Sequence, residues 1–139
     1  MRKLFFLLIF TACVSSQNEK LNKQSIETHE AALQVGKQVN EKIAQMTTAL
    51  EVLSDSTLQD SVRRLKQDYE DWESSIVEVP GYEHDHHNHE GHDHHENHGS
   101  SPDLTPEMVL EVQIELKQKA ENLDTRAIKL LEMIKSEKK

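Results

Sequence analysis

Residues 83–98 read Glu-His-Asp-His-His-Asn-His-Glu-Gly-His-Asp-His-His-Glu-Asn-His, with eight histidines and five acids in sixteen positions. The stretch is an octapeptide in two copies: His84–Gly91 aligns with His92–Gly99, and each copy opens His-Asp-His-His. Neutral imidazole is the commonest nitrogen ligand for zinc, copper and nickel, and neighbouring carboxylates add oxygen donors and offset the metal's charge. His84, His86, His87, His89, His92, His94, His95 and His98 therefore offer overlapping sets of three or four donors, with Asp85 and Asp93 beside them. No apolar residue lies between Glu83 and Gly99. Such a segment cannot bury enough surface to offset its ordering entropy, so it is predicted to be a disordered loop able to wrap around an ion. It contains no Cys-x-x-Cys pair and no helical His-Glu-x-x-His, so ligand type does not separate Zn2+ from Cu2+ or Ni2+. Labile capture of one or a few ions is the chemistry expected. The competing reading is a solvated polar linker whose metal affinity is incidental.

In composition the segment resembles the His-rich acidic loops of periplasmic zinc-binding proteins and of metal-ion transporters. The resemblance covers about sixteen residues and implies a role in collecting or buffering metal.

The amino terminus carries a different signal. Arg2 and Lys3 precede an unbroken apolar run from Leu4 to Phe10, followed by Thr11, Ala12 and Cys13. Charge, a short apolar core and small residues in that order make an export signal, and the run is far shorter than the ~20 residues of a membrane-spanning helix. Phe10-Thr11-Ala12-Cys13 resembles the lipobox of bacterial lipoproteins in a relaxed form, since Leu is commoner where Phe10 stands. That resemblance implies removal of residues 1–12 and a lipid anchor on Cys13, the only cysteine in the chain. Secretion with ordinary cleavage nearby is the alternative. Removing residues 1–12 takes away two basic residues and no acid, leaving 14 against 25 and a formal charge of −11. Residues 13–22, with Ser15, Ser16, Gln17 and Asn18, read as a lipidated cysteine followed by a flexible tether.

These features need a scaffold, and the composition names its class. The 139 residues hold 4% aromatics, four Gly and three Pro, too little strand and turn material for a sheet protein, and they are rich in good helix formers. The acidic balance excludes nucleic acid as a partner and favours cations. From about 23 to 54 a 3,4 repeat runs through His29, Ala32, Gly36, Val39, Ile43, Met46, Leu50 and Leu53. Its small residues at 32 and 36 let a neighbour approach closely. Ser54–Thr57 breaks the seam, and Ser56 with Gln59 matches a capping box. A second helix over 57–79 carries Leu58, Val62, Leu65, Tyr69, Trp72, Ile76 and Val79 at alternating steps of four and three, so its two aromatics are expected in the core. Pro80-Gly81 ends it. Thr105-Pro106-Glu107 is a strong helix start, and a third helix over 106–135 presents Val109, Val112, Leu116, Leu123, Ala127, Leu130 and Ile134. Leu110, Ile114, Ile128 and Leu131 are expected to broaden that face. The predicted fold is all-α: an up-down-up three-helix bundle, or a coiled-coil-like hairpin, spanning 23–136 with a disordered His-rich loop at 80–104 between helices 2 and 3. A thin core leaves a homodimer open.

In this topology the loop returns to the end where helix 1 begins. His29 is then a possible auxiliary ligand that recruits loop imidazoles, with Glu27 or Glu30 close by. The alternative is a boundary histidine at a frayed first turn. The outline as a whole resembles the small helical lipoproteins of Gram-negative bacteria. It implies an envelope protein, anchored to the outer membrane in the first instance, that binds divalent transition metal for buffering, sensing or delivery. The second reading is a structural, interaction or chaperone-like lipoprotein with an envelope partner and an incidental loop. Leu104-Thr105-Pro106-Glu107 partly resembles the Leu-Thr-x-x-Gln element of periplasmic helical stress chaperones, although Met108 stands where Gln would be and a helix cap accounts for the same residues. Enzymatic activity is not expected, because catalysis wants few ligands held rigidly and the chain has no nucleophile motif or phosphate loop.

Overall fold

The computed structural model describes residues 11–51, 55–82 and 104–137, with side chains from Ser16 onward. Three helices make up the fold: α1 (Thr11–Leu50), α2 (Ser56–Ser74) and α3 (Pro106–Glu137). The all-α three-helix bundle expected from the periodicity is the observed architecture. Of the expected disordered loop at 80–104, residues 80–82 and 104 are described, and 83–103 lie outside the described residues.

α1 is 40 residues long, about 60 Å at 1.5 Å per residue. It runs through residues 13–22, which the sequence suggested as a flexible tether. No Gly or Pro interrupts it before Gly36. Ser and Asn cost only a few tenths of a kcal/mol each in a helix interior, up to ~0.7. Once the packed part is formed, extending it backwards needs no new nucleus. Its inward face, Ser25, His29, Ala32, Gly36, Val39, Ile43, Met46 and Leu50, keeps the 4,3 spacing throughout.

α2 begins one residue away from the expected capping box. Asp55 is the N-cap: its carboxylate accepts from Thr57 N at 2.8 Å and Leu58 N at 3.0 Å. A charged acceptor serves the helix dipole better than the Ser56 hydroxyl would. Leu58, Val62, Leu65, Tyr69 and Trp72 are buried as the repeat predicts. The helix stops at Ser74, not at residue 79. Ser75 turns back on Trp72 O through both its N–H (3.0 Å) and its hydroxyl (2.7 Å). The β-branched Ile76, Val77 and Val79, the last of them before a proline, favour extended backbone. Residues 76–79 therefore form a strap that still buries Val79. Pro80-Gly81 makes a tight turn closed by Tyr82 N to Val79 O at 3.0 Å, with Gly81 at φ +78, the left-handed position that a type II turn reserves for glycine.

α3 starts as expected: Pro106 takes the first helical position, and Thr105 accepts from Met108 N at 3.4 Å through its hydroxyl and from Val109 N at 3.0 Å through its carbonyl. Lys42–Asp124 at 2.7 Å and His29–Gln113 at 2.9 Å show α3 running parallel to α1, with α2 antiparallel to both. The buried face of α3 is Val109, Gln113, Leu116, Ala120, Leu123, Ala127 and Ile134. Ile114 and Ile128, expected to broaden it, are 41% and 43% exposed. Each lies one residue beyond a buried seam position, about 100° round the helix and past the reach of the two neighbours.

Gly36 sets how closely α1 and α2 approach. A Cβ there would stand 2.3 Å from Cη2 and 2.4 Å from Cζ3 of Trp72. With no side chain at 36, the outer edge of the indole packs close against α1 and its Nε1–H donates to Leu116 O at 3.0 Å, tying all three helices at one level. Gly36→Ala gains about 1 kcal/mol of helix propensity, against overpacking that costs typically 1–3 kcal/mol. We expect net destabilisation, read as a lower urea midpoint with an unchanged slope and a shifted Trp72 emission.

Candidate functional site

A polar layer interrupts the apolar seam near the end of the bundle at which the His-rich segment leaves and returns. His29 on α1 is 1% exposed and Gln113 on α3 is fully buried. Gln113 Nε2 donates to Val77 O on the strap at 2.8 Å, which leaves Gln113 Oε1 to face His29 Nδ1 at 2.9 Å. A carbonyl cannot donate, so the amide orientation is fixed, and with it the proton: His29 Nδ1 must carry hydrogen and donate. Nε2 is thereby the ring's lone-pair atom when the imidazole is neutral. It points to Glu78 Oε2, 3.6 Å away, whose side chain is about half exposed.

Tyr82 closes the layer from outside. Its ring stands edge-on to His29, with centroids 6.4 Å apart at 81°, and its hydroxyl donates to Glu30 Oε1. That hydrogen bond to a carboxylate holds the Tyr82 phenol above its ordinary value, with desolvation and the charges of Glu30 and Glu78 adding to the effect. On α2, burial and then the Glu73 carboxylate, which accepts from the Tyr69 hydroxyl at 3.0 Å, raise Tyr69 well above the phenol range.

His29 is therefore not at a frayed first turn; it lies well inside α1, locked from two sides. Of the two acids expected as alternatives beside it, one is there. Glu30 belongs to the layer, whereas Glu27 pairs with Lys23 at 3.8 Å on the outer surface. The proximity of His29 to the segment's departure point holds, since Tyr82 is the last described residue before it. Leu104, the first described residue after it, lines a shallow cleft of 350 Å³ with Pro80, Pro106, Val109 and α1 residues including Asn22 and Ser25, at the same end. His84, His86, His87, His89, His92, His94, His95, His98, Asp85 and Asp93 all lie outside the described residues. Cys13 falls on α1, but its side chain lies outside them too. Among the described residues no group of three or more metal-ligating side chains converges, and no helix is long and apolar enough to cross a membrane.

Gln113, Glu78 and Tyr82 were not singled out from the sequence. Gln113 was within reach: Val109, Gln113, Leu116, Ala120, Leu123, Ala127, Leu130 and Ile134 form an unbroken 4,3 repeat in which Gln113 is the one polar member. Glu78 lies on the strap, which the repeat had assigned to helix, and Tyr82 follows the Pro80-Gly81 turn, in what had been assigned to loop. Comparisons with protein-family models, curated proteins and solved structures find no match to this chain.

The chain holds only two tyrosines, so its tyrosinate absorbance reports Tyr69 and Tyr82 alone. Both should ionise above the ordinary 10.0, Tyr69 at the higher pH, and Glu30→Gln should bring Tyr82 back down. Their folded values exceed their unfolded ones, so the stability they contribute is intact below about pH 10 and is lost as pH climbs through the folded values. Alkaline denaturation curves check the sign.

Proposed function

We propose that this protein binds divalent transition metal at the bacterial cell envelope, capturing Zn2+, Cu2+ or Ni2+ through His84–His98 and holding that segment on a rigid helical platform. The observation that carries the reading is the density of donors: eight imidazoles and interleaved carboxylates within sixteen residues, with no apolar residue among them. The fold supports it. Tyr82 and Leu104, which bracket the segment, lie at the end of the bundle toward the amino terminus of α1. A lipid on Cys13 would hold that same end at a membrane, the outer membrane in this reading, where metal entering the periplasm is first met. The mechanism is binding without chemistry, for buffering, sensing or delivery. No residue of the bundle needs to act on the ion.

A zinc competition titration near neutral pH, on the chain and on a version with the eight segment histidines changed to Ser and Asn, tests the reading. Sub-micromolar binding abolished by the change is expected, with affinity falling as pH drops through the imidazole range near ~6.5, where protons compete for the ligands. Equal affinity in the two chains, or only weak binding with no fixed stoichiometry, would overturn it and leave the interaction reading of the helical surfaces in its place.

A further inference from the structure

We propose that the face shared by α1 and α3 on the side away from α2 is a dimer interface, on which a second copy of this chain packs antiparallel. The proposal is independent of metal binding and uses no residue of the His-rich segment.

Two ion pairs locate the face. Asp124 reaches Lys42 on α1 at 2.7 Å, whereas Arg126, about 200° round α3, reaches Asp68 on α2 at 2.6 Å. The flank carrying Asp124 is therefore the one that α2 leaves uncovered. Leu110, Ile114, Lys117, Glu121, Asp124 and Ile128 follow along it at steps of four and three, a second seam beside the buried one. Ile114 and Ile128 are exposed on this seam, and Leu110 is half-buried. Thr28, Val35 and Lys42, all partly buried, run along the adjoining flank of α1 at seven-residue steps. Thr28 and Ala31 leave a shallow cleft of 390 Å³ beside Ile114, Lys117 and Glu121, room of the kind that a side chain from another helix fills.

Charge selects the occupant. Lys42 pairs with Asp124, Lys117 with Glu121 at 2.9 Å, and Glu27, also lining the cleft, with Lys23 at 3.8 Å. The face is thus neutralised in place, in a chain whose formal charge is −9. A basic partner finds no surplus of acid there, while a second acidic copy meets no repulsion.

Charge also selects the direction. In a parallel pair Lys117 would face the partner subunit's Lys117, and Glu121 the partner subunit's Glu121. In an antiparallel pair one register sets Lys117 opposite the partner subunit's Glu121, twice by symmetry, and Leu110 opposite the partner subunit's Ile128. Ile114 then meets the partner subunit's Asp124, an aspartate turned toward the lysine of its own α1. A shift of one heptad would instead set Glu121 against the partner subunit's Asp124.

From Leu110 to Ile128 the seam rises about 27 Å, and two helices are about 20 Å wide, so each copy covers about 550 Å². The total, about 1,100 Å², just exceeds the roughly 1,000 Å² that a specific interface needs, which suits a reversible dimer.

Sedimentation equilibrium of the full chain tests this, with chelator and reductant present so that neither metal on the segment nor Cys13 links two copies. A monomer–dimer equilibrium is expected between low micromolar and near-millimolar concentration. Ile128→Glu, on a side chain already in water, should leave only monomer, with helix content and Trp72 emission unchanged. Lys117→Glu should weaken the dimer roughly tenfold, since two attractive pairs become repulsive. Adding Glu121→Lys to that variant should restore the dimer, because opposite charges face each other again. A monomer at every concentration, a dimer untouched by Ile128→Glu, or one indifferent to Lys117→Glu would overturn the proposal. Dimers that form only once Zn2+ replaces the chelator would overturn it too while supporting metal capture by the segment, so the two proposals fail separately.

Discussion

A buried imidazole must have its ring nitrogens accounted for, and that requirement at His29 organises the upper half of the molecule. In a uniformly apolar seam, α3 could slide along α1 by a turn with modest loss. Here such a slip would part His29 from Gln113 and Gln113 from Val77, leaving buried polar groups unsatisfied at about 1–3 kcal/mol each. The polar layer adds less net stability than a leucine pair of similar volume would. What it supplies is a defined register between two parallel helices, the best-attested use of polar residues in coiled-coil seams. It also reaches beyond the helices: the Gln113 amide takes up the Val77 carbonyl of the strap, which has no ladder of its own to satisfy it.

Below this layer the bundle closes by a different device. Gly36 and Trp72 form a small-to-large match in which the absence of a side chain on α1 is filled by the largest side chain on α2. The indole N–H, which would be costly to bury alone, finds Leu116 O on α3. Toward the far end, Ile43, Met46, Leu50, Leu58, Leu65, Leu123 and Ile134 make an ordinary apolar core. Ion pairs cross between the helices around it: Lys42–Asp124 is partly buried, and the exposed Arg126–Asp68 at 2.6 Å is worth no more than about 1 kcal/mol.

Much of the fold was legible in the sequence because helical burial follows a period. The α1 seam was readable from His29 to Leu50, and the α2 seam from Leu58 to Trp72. What periodicity could not supply were the ends. Ile76 and Val79 continue the 4,3 spacing of α2 although the backbone leaves the helix at Ser74; Val79 is buried all the same, because the strap delivers it to the core by another path. The amino-terminal extension of α1 was hidden for the opposite reason, since polar residues with tolerable helix propensity look like a linker until a packed helix beneath them carries the backbone onward. Of the candidate site, the histidine-rich segment was visible at once, being a matter of composition, and His29 was visible as a position. Its partners were not, because they come from elements 49 and 84 residues away.

The sequence by itself determined the helical class, the seams, the turn at residue 55, the start of α3 at Thr105 and the presence of a dense array of imidazole donors. These follow from local chemistry: residue type, spacing and caps act within a few residues of where they are written. Only the tertiary structure decided that Gln113 is the partner of His29, that the residues after Ser74 form a strap and not a further turn of α2, and that Glu78 stands 3.6 Å from the imidazole. Those outcomes depend on which buried polar groups can satisfy one another once three helices pack, and hydrogen-bond satisfaction across a core is a property of the assembled surfaces, written in no single stretch of chain.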